Sequence, residues 1–402
     1  MTQEALDAAN GQTGFSQNGQ EALAAARGLA DLITGLRHQT EADRRVAAPI
    51  VDAMIDARLF RMPITPDLGG LGLSTVEALH VFEALSGLEA SVSWVAWNNS
   101  LPWLYGRFLS PDARAEIFAN PTWLHANSTR PSGKAVAEKD GYRITGQWSL
   151  VSGCELAEWM PLACLVEDDG ELRMAAPGVP ELRFAFLRKG QYEIIDTWNV
   201  GGLRGTGSHD VAVREVLVPA EFTLFPGDPP TLDDPMGRVP INATLAGGFA
   251  AQALGIAQSA IDALIHMAQT KITPGPVPDL RDRSRARVQV ASCTAAVNAA
   301  RTYLYQAVGE GWDKAVAGNP WTNEDIAKVL GAEQHANEVA RNTVDEMFTA
   351  GGTSAMYTDN PLERAHRDIH AMMRHVLAQP VLNDQSGRVL FGLEPNDSQF
   401  VL

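Results

Sequence analysis

Basic residues are scarce in this chain. Its 402 residues carry 32 Lys and Arg against 48 Asp and Glu, for a net charge of −16 and a pI near 5.0. Such a balance repels phosphate backbones and anionic lipid, so neither nucleic acid nor a membrane surface is expected as a partner. Cysteine is scarcer still: Cys154, Cys164 and Cys293 are too few, too irregularly spaced and of the wrong parity for a disulfide framework or a metal-binding motif. They read as small buried hydrophobes, and no metal is expected. No apolar run approaches the roughly 20 residues of a membrane helix. The acidic opening, Met1 to Asp7, lacks the basic-then-apolar pattern of a secretion signal, which gives a cytoplasmic expectation. A nicotinamide-binding βαβ unit is also missing. The glycines of Gly202-Leu203-Arg204-Gly205-Thr206-Gly207 do not open a helix as that fold requires.

What is present is a soluble-protein composition, 45% hydrophobic and 20% charged, long enough for two or three domains. Three regimes of periodicity divide it. Residues 1–122 read as helical: Glu21 to Ile33 places apolar groups on one face, Pro63 to Gly72 breaks the pattern, and Ser74 with Glu77 forms a capping box for the next helix. Residues 123–237 alternate polar and apolar in short runs, as in Gly141 to Trp148 and Asp210 to Pro219, and predict a small barrel or sandwich, with Phe225 to Pro230 as a linker. Residues 238–402 return to long alanine-rich helices: one through Ala250–Ala260, then Val288–Val308, Glu324–Phe348 and one from Asn360. They predict a four-helix bundle.

Several motifs stand on this frame. The C-terminal part reads Ala350-Gly351-Gly352-Thr353-Ser354, then Asn360-Pro361-Leu362-Glu363-Arg364, then Arg367-Asp368. This resembles the C-terminal signature of the acyl-CoA dehydrogenase superfamily. In the dehydrogenases a glutamate follows the Arg-Asp pair and removes the substrate's α-proton, but here Met373-Arg374-His375-Val376-Leu377-Ala378 offers a histidine and no carboxylate. The run Gly202-Leu203-Arg204-Gly205-Thr206-Gly207-Ser208-His209-Asp210-Val211 resembles that of the two-component flavin monooxygenases. The resemblance covers nearly the whole chain. It implies an α+β, acyl-CoA dehydrogenase-like fold: an N-terminal helical domain, a central β domain and a C-terminal four-helix bundle.

The resemblance also implies a chemistry. Reduced flavin, FMN or FAD, would come from a separate NAD(P)H-dependent reductase. It would meet O2 in a dry pocket, form a C4a-hydroperoxide and oxygenate a small aromatic, heteroaromatic, sulfur or amine substrate. A homotetramer is implied, because relatives complete each flavin site with a neighbour's residues. The segment Gly146 to Gly153 resembles the strand that lies against the flavin's central ring. Ser152 is the expected hydroxyl at flavin N5, where it opposes loss of peroxide, with Ser149 second. Arg204, Thr206 and Ser208 are expected to hold flavin carbonyls or phosphate, the glycines of that run to let backbone approach the ligand, and Gly351 and Gly352 to contact the cofactor. His375, read as part of the last helix, is expected to donate a proton or a hydrogen bond to the peroxide near neutral pH, where imidazole titrates. His370 and His375, five residues apart, fall on different faces and make no metal pair. Ser128 is a candidate for substrate or the flavin pyrimidine. Trp94, Trp97, Trp103 and Phe108 suggest an aromatic wall. Leu101 stands where related phenol hydroxylases carry a substrate-binding histidine, which argues against an ordinary para-hydroxyphenyl substrate. Two other readings stand beside this one. In the first, an acyl-CoA dehydrogenase or flavin oxidase uses a displaced base, with Glu155, Glu158 and Asp368 as candidates. In the second, a flavin-fold scaffold has lost its chemistry.

Overall fold

The computed structural model describes residues 14–272 and 277–396; the acidic stretch Met1 to Asp7 lies outside them. The first helical block comprises α1 (Gln17–Gly28), α2 (Ala30–Ala42), α3 (Ala48–Asp56), α4 (Thr75–Leu88), α5 (Ala90–Ser100), α6 (Pro102–Gly106) and α7 (Pro111–Phe118). Its starts follow local chemistry. Ser74 accepts from the Glu77 N–H at 3.2 Å while Glu77 accepts from the Ser74 N–H at 2.8 Å, closing the capping box at the head of α4. Glu77 has a second task that the motif does not show: it also accepts from the Ser16 N–H at 2.6 Å and so ties α1 to α4. Ser110 caps α7 in the same manner, with Pro111 in the first turn, where its missing N–H costs nothing.

The strands are β1 (Leu124–His125), β2 (Ser128–Glu138), β3 (Gly141–Val151), β4 (Ala157–Asp168), β5 (Glu171–Leu172), β6 (Met174–Ala176), β7 (Val179–Pro180), β8 (Leu182–Arg188), β9 (Glu193–Ile195), β10 (His209–Pro219) and β11 (Thr223–Leu224). One sheet runs in the order β11-β8-β4-β2-β3-β10-β9, with β1 and β5 both paired to β4, while β6 and β7 form a separate ribbon. The β2–β4 pair is parallel and the β2–β3 and β3–β10 pairs antiparallel. The alternation in β3 and β10 buries Ile144, Trp148, Val151, Val211, Val213 and Val218 in the sheet's own core.

The second helical block follows: α8 (Pro235–Arg238), α9 (Ile241–Thr270), α10 (Ser284–Val316), α11 (Asn323–Gly351), α12 (Pro361–Met372) and α13 (Val381–Leu390). Among the described residues α9 alone is long and apolar enough to cross a membrane by length and composition. However, 72% of its most apolar window is buried inside the protein, so it is a core helix. It crosses α4 closely at Gly255, where a Cβ would stand 2.4 Å from the Glu83 carbonyl oxygen. Leu79, Leu85, Leu254, Leu304, Val344 and Ile369 belong to one core that spans both helical blocks. An aromatic seam joins this core to the sheet: Tyr105 stacks on Phe184 at 4.3 Å, and Phe118 meets Phe186 edge-on at 6.5 Å.

Candidate functional site

Two cavities lie in this region of the described residues, and the larger borders the seam at Tyr105 and Phe184. The larger, about 240 Å³, lies between the sheet and the helices, walled by Thr129, Phe184, Tyr105, Asn242, Leu330 and His375 among others. The smaller, about 40 Å³, is mostly apolar and lies among α4, α5 and α9, lined by Phe82, Trp97, Leu101, Gly247, Gly248 and Val308 among others. Neither is lined by a carboxylate or by Lys or Arg. Trp97 and Leu101 thus come together as expected. Ser128 does not join them: it is 7% exposed within β2, and its neighbour Thr129 faces the larger cavity.

His375 is not on the last helix. The chain leaves α12 at Met372, and His375 caps a short 3₁₀ turn, Val376–Ala378, where Nδ1 accepts from the Leu377 N–H at 3.3 Å. In a neutral ring that bond leaves the proton on Nε2, which is then a hydrogen-bond donor. The ring sits in an aromatic cage, with centroids 5.3 Å from Phe249, 5.6 Å from Trp94 and 6.3 Å from Trp97. Burial, and secondarily the Arg130 cation, pulls its pKa down to about 4. The expectation of a histidine titrating near neutrality is therefore corrected. With a pKa near 4 the ring is neutral at pH 7 and carries its proton on Nε2. The helical-face argument that separated it from His370 also lapses, since only His370 is helical.

Ser152 is placed by a defect in the sheet. Val211 pairs with Trp148 and His209 with Val151, so Ser149 and Leu150 together oppose Asp210. Leu150 takes φ +63° in this bulge, and Gly153 takes φ +68° just beyond. The bulge turns Ser152 inward, 5% exposed, and leaves Ser149 half-buried on the strand. Three hydroxyls then form a chain, and its direction is assigned from the one bond that ends on a carbonyl. Thr206 donates to the Leu203 carbonyl at 3.0 Å. With that proton committed, Ser208 is assigned as the donor in its 2.7 Å contact with Thr206, and Ser152 as the donor in its 2.7 Å contact with Ser208. Trp94 Nε1 donates to Ser152 at 2.9 Å. Ser152 has spent its proton and one lone pair and keeps one lone pair, so the end of the chain is an acceptor. Beside it, a Cβ on Gly153 would stand 2.5 Å from Asn99 Nδ2, and Asn99 Oδ1 is buried without a hydrogen-bond partner. Trp94 links the two features, bonded to Ser152 and edge-on to His375.

The glycine-rich loop, residues 198–209, departs from expectation. Its close approaches are to the protein itself: a Cβ on Gly202 would meet the Arg367 carbonyl at 2.2 Å, and one on Gly205 would meet Thr40 at 2.3 Å. Arg204 turns back to the Val200 carbonyl at 2.7 Å, half-buried, and Thr206 and Ser208 are buried in the hydroxyl chain. Asp368 holds the loop, accepting from the Leu203 N–H at 2.6 Å. Leu203 needs such an anchor, because φ +53° is a conformation that a leucine rarely adopts. Gly351 packs on Leu362 and Met267. Met267 lies 18 residues along α9 from Phe249 of the cage, about 27 Å at 1.5 Å per residue. Within one chain, Gly351 and Gly352 are thus remote from Ser152 and His375. The displaced-base candidates are also placed: Glu155 faces Arg45 at 3.6 Å, Glu158 pairs with Arg188 at 3.1 Å, and Asp368 is spent on the loop. Sequence reasoning missed Asn99 and the bulge, and it set Thr129, with Asn127 and Ser128, against the flavin-binding loop segment while choosing Ser128 as the candidate. The only signal for the two missed features was that they adjoin residues already singled out.

Comparison with known proteins points one way. Residues 247–380 match the family model described as acyl-CoA dehydrogenase, C-terminal domain. The chain is similar to an indole-3-acetate monooxygenase of Pseudomonas putida, 29% identical over 93% of this chain and 96% of the relative. It is also similar to the oxygenase component of an FADH(2)-dependent resorcinol hydroxylase of a Rhizobium species, 28% identical over 92% and 93%. Among solved structures, the HsaA monooxygenase of M. tuberculosis superposes with a TM-score of 0.87 at 25% identity, over 95% of this chain and 99% of that one.

Proposed function

We propose that this chain, a member of the acyl-CoA dehydrogenase superfamily in its two-component flavin monooxygenase branch, oxygenates a neutral aromatic or heteroaromatic molecule at the seam between sheet and helices. Its enzyme class is flavin-dependent monooxygenase, working as an oxygenase component beside a separate flavin reductase. When bound, reduced flavin supplies the electrons that activate dioxygen. The residues present fit such a ring: Ser152 keeps one lone pair for a ring N–H, Asn99 Oδ1 is an unspent buried acceptor beside it, and neutral His375, its proton on Nε2, lines the larger cavity. The observation that carries the reading is the direction of the hydroxyl chain. An acceptor end matches N5 of reduced flavin, which bears a proton, and offers nothing to N5 of oxidised flavin, which needs a donor.

The chain's own groups then have distinct tasks. Ser152 holds the ring N–H and opposes its loss. His375 donates to oxygen and, being neutral, stabilises without competing for protons. Trp94, Trp97 and Phe249 exclude water and so strengthen both hydrogen bonds. The absence of a cationic lining residue supports a neutral substrate over a carboxylate. Phe184, Tyr105 and Leu330 supply the apolar wall of the larger cavity against which it would rest, while Trp97 and Leu101 line the smaller one. The remoteness of Gly351 and Gly352 supports a tetramer in which they serve a neighbouring copy's cofactor. No cavity-lining carboxylate supports the dehydrogenase alternative.

Anaerobic titration tests the reading. Reduced flavin should bind at least about tenfold more tightly than oxidised flavin, the effect of one buried hydrogen bond made or missed. The isolated chain should not oxidise NADH, and an acyl-CoA should not bleach bound flavin. Tighter binding of the oxidised form, or bleaching by an acyl-CoA, would overturn it.

A further inference from the structure

Outside the cavities, one cluster of ligating side chains is not used by the chemistry above. We propose that Asp345, His366 and His370 form a binding site for a divalent transition-metal ion of the zinc, cobalt or nickel class, joining α11 to α12. His366 and His370 are four residues apart on α12 and so share one face, while Asp345 comes from α11. Asp345 Oδ1 lies 2.8 Å from His370 Nε2 and 3.4 Å from His366 Nε2. The donor atoms of all three residues lie within 4.8 Å of one another, the one such group among the described residues. Bonds of about 2.0–2.1 Å to nitrogen and oxygen in a tetrahedron place ligand atoms roughly 3.3 Å apart, a spacing that the Asp345–His366 contact already has and that the Asp345–His370 contact would reach by opening about 0.5 Å, with the two imidazoles turning together.

The surroundings favour a cation with imidazole ligands. Phe348 stacks on His366 at 4.4 Å and fixes the ring, and the His366 and His370 rings lie 4.5 Å apart. The charged groups acting on His366 besides its two partners come down to the Glu363 carboxylate. Burial, then His370, lowers the His366 pKa, which favours the neutral, ligating imidazole. The three side chains are 36–42% exposed, so an ion can enter and water can complete its shell. Two imidazoles with one carboxylate select zinc, cobalt, nickel or copper over magnesium or calcium, which require oxygen ligands.

The consequence is mechanical. Asp368, two residues beyond His366 and about 200° around the helix, anchors the glycine-rich loop through Leu203. An ion on the outer face would pin α12 to α11 while the inner face holds the loop. This inference does not rest on the monooxygenase reading.

The test is calorimetric titration of the full, tag-free, chelator-treated chain with Zn²⁺ alone and with Co²⁺ alone. One ion per chain should bind with an affinity near micromolar, Co²⁺ should show visible d–d absorption, and the melting temperature should rise with the ion. Asp345→Asn, His366→Ala and His370→Ala should each weaken binding at least tenfold. His366→Gln and His370→Gln, which keep side-chain volume and polarity, should do the same while preserving the unliganded melting temperature. The proposal fails if no saturable binding is seen, or if either histidine can be replaced by glutamine without loss of affinity.

Discussion

The glycine-rich loop is buried between two kinds of polar chemistry, and the contrast shows how one segment can be both held and available. On one side stand neutral hydroxyls: Thr206, Ser208 and Ser152, in 2.7 Å contacts that end on a free lone pair. On the other stand charges. Arg367 donates to the Gly201 carbonyl at 2.6 Å and to Glu41 at 2.9 Å; Arg37 lies 3.3 Å and Arg364 3.8 Å from Glu89. Burial pushes the carboxyls of both Glu89 and Asp368 upward. A buried charge network is strongly coupled and resists the loss of any member, whereas a chain of hydroxyls can present one unfilled valence at small cost. The charged side therefore sets where the loop is, and the hydroxyl side sets what the loop can receive.

The largest effect should come from the charged side. Asp368→Ala removes the acceptor of the strained Leu203 N–H and leaves that buried donor unsatisfied, so it should lower stability by about 2–3 kcal/mol. The denaturant midpoint at pH 7 measures this. A loss below about 1 kcal/mol would break the comparison, because the loop would then be held from elsewhere.

Next in size is an acid series on the two histidines whose pKa is pulled down to about 4 by burial, His375 of the cage and His125, which donates to the Ile117 carbonyl at 3.1 Å. Both bind a proton more readily when unfolded. Their contribution is complete above pH 6.5 and is lost as pH falls from there through about 4, by at most about 3 kcal/mol each. Carboxyls with raised pKa values titrate in the opposite sense, so the readout is a difference. His125→Gln should gain on the unmodified chain as pH falls from 6.5 to 4. At pH 6–8 neither histidine titrates, so His375→Ala should lower product yield without changing the shape of the pH–rate profile. A limb near neutrality that vanishes in the variant would show that the ring is charged after all.

The smallest effect on the fold should come from the hydroxyl side. Ser152→Ala should leave the midpoint within about 1 kcal/mol and raise hydrogen peroxide release per reduced flavin roughly ten- to a hundredfold. Thr206→Val, which only frees the orientation of Ser208 and Ser152, should raise it a few-fold. Equal effects from the two would mean that direction along the chain is irrelevant.

Much of the scaffold was written locally. The Ser74–Glu77 box, the Asn360-Pro361 start of α12 and the alternation of β3 and β10 follow from groups within a few residues of one another, and each appears where the sequence predicts it. The last helix was overextended, because nothing between Met372 and Pro380 carries a glycine or proline stop. Its end is marked by His375 capping its own turn, beside Gln334, whose amide donates to the Leu377 carbonyl at 2.5 Å. The glycines of the loop were visible and their partners were not, since Gly202 meets α12 from 165 residues away.

Sequence alone therefore determined the kinds of elements, their order and the residue types available for chemistry, because periodicity and capping act within a few residues. Tertiary structure decided that His375 lies in a desolvating aromatic cage, that Ser152 joins Trp94 and Ser208 in one hydrogen-bonded chain, and that Asp368 anchors the glycine-rich loop. Each of these depends on desolvation and on hydrogen-bond partners supplied by distant segments, and a linear pattern does not record what surrounds a side chain.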